Sequence, residues 1–199
     1  MRLLPGLVLA ASLAAAQTVA HDATHAGKAA PSALPLPFDL GGAFSLTDQY
    51  GRKRSEVDAE GRLQLVFFGY AKCESICTVA LPQMASITKE LASLGIPVAP
   101  VMITVDPARD TPEAMAPILA ALHPDFVGLT GPERALAEVY KLFSIDHSLV
   151  FEDPSAGAVY AHGSLLYLLD GKGKFMTVVP PILSDERIVD IISAYASAG

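Results

Sequence analysis

Two continuous apolar runs constrain this chain most: "LQLVFF", Leu63 to Phe68, and "VAPVMITVD", Val98 to Asp106. Runs this short and this uniformly apolar suit strands covered on both faces, the habit of strands inside a parallel sheet. Between them Leu81, Met84, Ile87, Leu91 and Leu94 recur at helical spacing, and Gly95-Ile96-Pro97 ends the segment. A strand, a crossing helix and a second strand make a parallel pair with the helix packed on one face.

The rest of the chain extends this unit. Thr111, Pro112 and Glu113 supply an N-cap, a first-turn proline and a dipole-matched acid for a second helix to about Leu122. "FVGLTG" reads as a short strand, "PERALAEVYKLFSI" as a third helix and "SIDHSLVFEDP" as a loop. "HGSLLYLLDGKGKFMTVV" reads as strand, glycine-containing turn and strand, and Ser184 caps a last helix. Upstream, the stretch from Gly41 to Tyr70 has short β-like pieces separated by glycine and charged turns, a hairpin leading into the first core strand. The order predicts an α/β domain, a mainly parallel sheet with helices on both faces and antiparallel strands added by the last hairpin. A thioredoxin-like fold with an N-terminal β-hairpin extension has this layout.

The N-terminus, "MRLLPGLVLAASLAAAQTVAHD", carries one Arg, an apolar run to about Ala16 and small residues for cleavage after Ala16 or Ala20. Residues 1–20 are therefore read as an export signal, either removed or retained as an inner-membrane anchor; the apolar run is short against the roughly 20 residues of a membrane span. Residues 21–37, rich in Ala and Pro without periodicity, are a flexible lead-in, and residues 38–199 form the folded domain. A periplasmic location follows from export. Net charge is −7, from 14 basic and 21 acidic residues, with no basic block, so a nucleic-acid surface is not indicated.

The two cysteines, Cys73 and Cys77, stand in "FFGYAKCESIC" at the junction of the first core strand and its helix. A bond between them closes only a tiny loop and adds little stability, which favours a reactive role over a structural staple. Residues four apart on a helix share a face, and a helix N-terminus with Lys72 nearby favours thiolate. Two thiolates from one turn form half of a site for Cu(I) or Zn(II), with imidazole the usual third ligand. The three intervening residues leave room for a metal and do not forbid redox exchange.

Five histidines compete for the third place. His21 and His25 fall in the lead-in, His123 at a helix end and His147 in the loop after the third helix. His162 heads the strongly apolar strand "LLYLLD", which in a thioredoxin-like sheet lies beside the central strand and brings its head close to the first helix's N-terminus. Geometry favours His162. Asp106, Arg109 and Asp110 follow the second core strand and read as a salt-bridged cap on that loop at least as readily as a docking feature.

Three blocks, "LVFFGYAKCESIC", "VMITVDPARDTPEAM" with "FVGLTG", and "HGSLLYLLDGKGKF", resemble the Sco/SenC family of copper-binding thioredoxin-fold proteins. The resemblance runs from about Phe38 to the C-terminus and implies copper, as Cu(I) or Cu(II), held by Cys73, Cys77 and His162. "IDHS" around His147 is closer to the family's Asp-His-Ser/Thr tripeptide, but the distance from "GLTG" and the following "YLLD" strand support His162. Two departures stand out. Glu74, Ser75 and Thr78 replace the prolines and acid common around the family's cysteines, and Ala161 stands where an Asp usually precedes the histidine. The resemblance implies a metallochaperone that delivers copper to, or matures, the dinuclear copper site of cytochrome c oxidase, with that subunit or another periplasmic copper protein as partner. The alternative is a periplasmic thiol–disulfide oxidoreductase that keeps a partner's cysteines reduced.

Overall fold

The computed structural model describes residues 40–71, 77–154 and 157–198. The signal, the lead-in and the domain's start at Phe38 lie outside the described residues, as do His21, His25, Lys72, Cys73, Glu74 and Ser75; Cys77 enters through its backbone alone.

The two apolar runs form adjacent strands, β3 (Leu63–Gly69) and β4 (Val98–Thr104), paired in parallel along their whole length from Leu63↔Val98 to Gly69↔Thr104. Preceding them, β1 (Leu46–Asp48) and β2 (Lys53–Arg54) form the expected hairpin. The connecting helix α1 (Cys77–Ser93) ends at Gly95, whose φ of +77° is a left-handed value that glycine adopts without strain. Helix α2 (Pro112–Leu122) follows β4; Thr111 caps it by accepting from the Ala114 N–H at 3.3 Å, with Pro112 in the first turn. Then come β5 (Val127–Thr130), parallel to β4, and α3 (Glu133–Leu142).

Beyond α3 the structure differs from the sequence reading. The stretch read as a loop is a separate two-stranded sheet, β6 (Ser148–Asp153) and β7 (Gly157–Ala161), with a register shift between Leu149 and Phe151. Leu149, Val150 and Phe151 are all exposed, so no buried face imposes the alternation that marks a half-buried strand. The chain closes with β8 (Leu166–Leu169), β9 (Phe175–Val179) and α4 (Asp185–Ala198).

The main sheet runs β2-β1-β5-β4-β3-β8-β9. Its centre is parallel, as expected. The N-terminal hairpin docks antiparallel on β5 at one side, and β8 pairs antiparallel with β3 at the other, from Gln64↔Leu169 to Phe67↔Leu166. Both crossovers step the same way across the sheet, so right-handedness puts α1 and α2 on one face, where α1 also packs on α4. On the opposite face Phe68 meets Tyr140 of α3 and Phe143, the residue that caps that helix, at ring separations of 6.2 and 5.3 Å, and Tyr167 of β8 at 5.6 Å. The fully buried Phe68 is thus the ring on which α3, β3 and β8 converge. Truncating Phe68→Ala leaves a cavity in that cluster, and a loss of about 3–5 kcal/mol is expected, read as a lower urea midpoint with an unchanged slope.

Candidate metal centre

The site grows from the place where β3 and β4 end side by side. The Val105 N–H donates to the Gly69 carbonyl at 2.9 Å, the last rung between the two chains. Past it, the loop into α2 folds over so that the carboxylate of Asp110, 2% exposed, accepts from the Ala71 N–H at 3.0 Å and from the Thr104 hydroxyl at 2.7 Å. The Thr104 hydroxyl in turn accepts from the Asp106 N–H at 2.9 Å, and the Thr104 carbonyl accepts from the Tyr140 hydroxyl at 2.6 Å. The departure of the chain from β3 towards Cys73 is thereby tied to β4, to the α2 loop and to α3.

Burial pushes the Asp110 carboxyl above its usual range, against the pull of the bonds from Thr104 and Ala71. Burial likewise pushes the Tyr140 phenol well up, so it stays protonated and donates. Arg109 pairs with Asp106, donates to the Ala158 carbonyl in β7 and lies over the Tyr70 ring with its guanidinium carbon 5.3 Å from the centroid. Burial works against that charge, and the hydrogen bond and field of Asp106 more than restore it, leaving the guanidinium pKa raised.

His162 follows β7 directly and sits half-buried at the same end of β3. Its ring meets Phe67 edge-on at 5.7 Å and Tyr70 edge-on at 6.0 Å. Its Nδ1 lies 3.1 Å from the Gly163 carbonyl oxygen. Since a carbonyl only accepts, that bond places a proton on Nδ1; in the neutral ring Nε2 is then the lone-pair nitrogen, the one available to a metal. A backbone carbonyl therefore orients the ring of a histidine that follows Ala161.

His147 stands opposite, since Ser148 pairs with Ala161, but its ring goes elsewhere: against Tyr140 at 4.5 Å and stacked on Tyr160 at 6.2 Å. His123 caps the C-terminus of α2, its N–H donating to Leu119, and its Nδ1 accepts from Asp125, as a helix-end histidine should. Of the described histidines, His162 is the one whose ring lies edge-on against Phe67 near the end of β3. Helix α1 begins at Cys77, so within the described residues the positive helix end falls at Cys77; the helical turn from 73 to 77 on which the shared-face argument rests lies outside them. Among the described residues no three His, Cys, Asp or Glu side chains group as a metal site.

The sequence reading missed two participants. Tyr70 touches His162, Arg109 and, at 6.1 Å, Tyr160, and nothing in "FFGYAKC" marks it beyond its place after the strand. Asp110 was readable as part of a capped loop, and its bond to Ala71 appears only in three dimensions.

A family model described as SCO1/SenC matches residues 33–197. An SCO2-like protein of Rickettsia conorii is 37% identical over 138 residues, covering 69% of this chain and 67% of that relative. Among solved structures, yeast Sco1 with copper bound superposes with a TM-score of 0.74 at 29% identity, covering 81% of this chain and 91% of that one. BsSco, in which a disulfide switch is described and which belongs to the Sco family of cytochrome c oxidase assembly proteins, superposes with a TM-score of 0.58 at 25% identity over 79% of this chain and 95% of its own. The likeness to these proteins bears out the thioredoxin-like fold.

The raised Asp110 pKa has a consequence for stability. The folded protein holds this proton more tightly than the unfolded chain, so the stability it contributes is full below the ordinary value of 3.8 and is lost as pH rises through the raised value. Asp110→Asn removes that dependence. The melting temperature of the variant relative to the unsubstituted protein should therefore climb between pH 4 and pH 7; a difference that stays flat across that range would count against a strained carboxylate.

Proposed function

The chain belongs to the SCO1/SenC family, and on that premise we propose that it is an exported copper carrier holding the ion on Cys73, Cys77 and His162. Its recipient is the dinuclear copper site of cytochrome c oxidase, to which it delivers copper or whose cysteines it matures. One observation carries the ligand set: the His162 ring, oriented from Gly163, is seated on Phe67 and Tyr70 at the end of β3. Cys73 is three residues along the chain from Tyr70, a span of about 11 Å at most. Two thiolates and one imidazole form a soft, three-coordinate set suited to Cu(I), with a coordination position left for an incoming ligand. The solved relatives with copper bound, from yeast and Bradyrhizobium japonicum, support the choice of metal.

Handover on this reading is ligand exchange. The recipient's donors replace His162 and the two thiolates one at a time, and the ion is never released to water. A half-buried imidazole oriented by the Gly163 carbonyl suits that task. The apolar start of the chain supports a periplasmic location, free or tethered by its own N-terminus. Among the described residues no helix is long and apolar enough to cross a membrane.

The disulfide switch of BsSco favours a second reading, thiol exchange. Here one thiolate attacks a partner's disulfide, the other resolves the mixed disulfide, and two electrons pass to the partner as Cys73–Cys77 forms. Titration of the reduced protein with Cu(I) against a chromophoric competitor separates the two. His162→Ala should weaken binding more than about 100-fold, beyond the about 10- to 100-fold of losing an outer partner, while His147→Ala stays near the unsubstituted value. A protein that binds no Cu(I), yet reduces a disulfide substrate equally well with and without His162, would overturn the carrier reading in favour of the reductase.

A further inference from the structure

Among the described residues the β6–β7 hairpin shares no strand pairing with the seven-stranded sheet, and a two-stranded hairpin is marginal on its own. Its position over the site is therefore set by side chains. Two of the contacts are aromatic, Tyr160 on Tyr70 and His147 on Tyr140. A third is polar: Arg109, rooted by Asp106 in the α2 loop, donates to the Ala158 carbonyl of β7 while its guanidinium covers Tyr70. Tyr70 immediately precedes Ala71, the residue held by Asp110, so one cation touches the strand that leads to His162 and the turn that leads to Cys73. The hairpin is shaped around it. Gly157, at φ +78°, has no side chain where a Cβ would stand 2.7 Å from an Arg109 Nη nitrogen. A planar fork that serves a carboxylate, a carbonyl and a ring face at once is work a lysine cannot reproduce.

We propose that Arg109 is a positioning residue, a clasp that holds the His162 hairpin against the end of β3 and so sets the spacing between imidazole and thiols. The inference rests on reading His162 and the cysteines as one centre. Among the described contacts, Arg109 acts through the hairpin's Ala158 carbonyl and the Tyr70 ring. Its charge matters less than its shape, and the conservative replacement is the informative one.

The test is a double-mutant cycle in the full chain, combining Arg109→Lys with His162→Ala, with Cu(I) affinity as one readout and amide hydrogen exchange of the metal-free reduced protein as the other. Arg109→Lys should cost about 10- to 100-fold in affinity when His162 is present and less than about twofold when it is absent, since only the imidazole's position is at stake. Exchange of the amides from 157 to 161 should speed up by about tenfold or more, the scale of one hydrogen bond to a charged group, with β3 and β4 unchanged. Equal affinity losses in both backgrounds, or unchanged exchange in the hairpin, would overturn the clasp. Gly157→Ala, which crowds the guanidinium from the other side, should reproduce both effects. If His162→Ala alone leaves copper binding intact, it is the three-ligand centre that fails, and the exchange data still show whether Arg109 holds the hairpin.

Discussion

The buried carboxylate of Asp110 joins parts of the chain that the backbone ladder cannot. Parallel strands emerge from a sheet side by side at one end, and the chain that leaves them has no further ladder to satisfy its amides. Asp110 takes the first such amide, that of Ala71, and with its other bond takes the Thr104 hydroxyl. Through Thr104 the tie reaches Tyr140 on the far face of the sheet. Burying a carboxylate is costly, and the raised pKa records that cost. The return is a fixed launch point for the cysteine segment, held from β4, the α2 loop and α3 together.

Around that launch point the second half of the site is assembled from rings. His162, Tyr70, Tyr160, His147 and Tyr140 follow one another at centroid separations of 4.5 to 6.2 Å. Edge-to-face and stacked contacts of this kind are individually modest and tolerate small adjustments. The His162 ring lies on such a bed, with the Gly163 carbonyl facing its Nδ1. The rigid element beneath is β3, locked on both sides by β4 and β8, so movement of the hairpin need not disturb the core.

The helices and central strands were legible because their signals are local. Helical spacing from Leu81 to Leu94, the Thr111-Pro112-Glu113 start and the unbroken run from Val98 state their structure within a few residues. The β6–β7 hairpin was not legible. Its apolar residues, Leu149 to Phe151, face solvent, and the register shift breaks what alternation remains. At the site, His162 could be preferred to His147 from the strand that follows it. The two histidines flank the same hairpin base, and the different beds on which their rings lie, Phe67 and Tyr70 against Tyr140 and Tyr160, are written nowhere in their neighbourhoods.

The chain's order of elements, the placing of two cysteines at a strand–helix junction and a family resemblance spread over three separate blocks belong to the sequence by itself. The first two follow from periodicity and spacing, which act over a few residues and need no partner. Tertiary structure alone decided that Asp110 would hold Ala71, that Phe67 and Tyr70 would bed His162 and that Arg109 would join hairpin to strand. Each of these joins a group to a neighbour that only folding brings near. Asp110 and Ala71 lie 39 residues apart, and Arg109 and Ala158 lie 49 apart. Hydrogen bonds and ring contacts depend on distances of a few ångströms, and those distances exist only once the sheet has set which strand ends lie together.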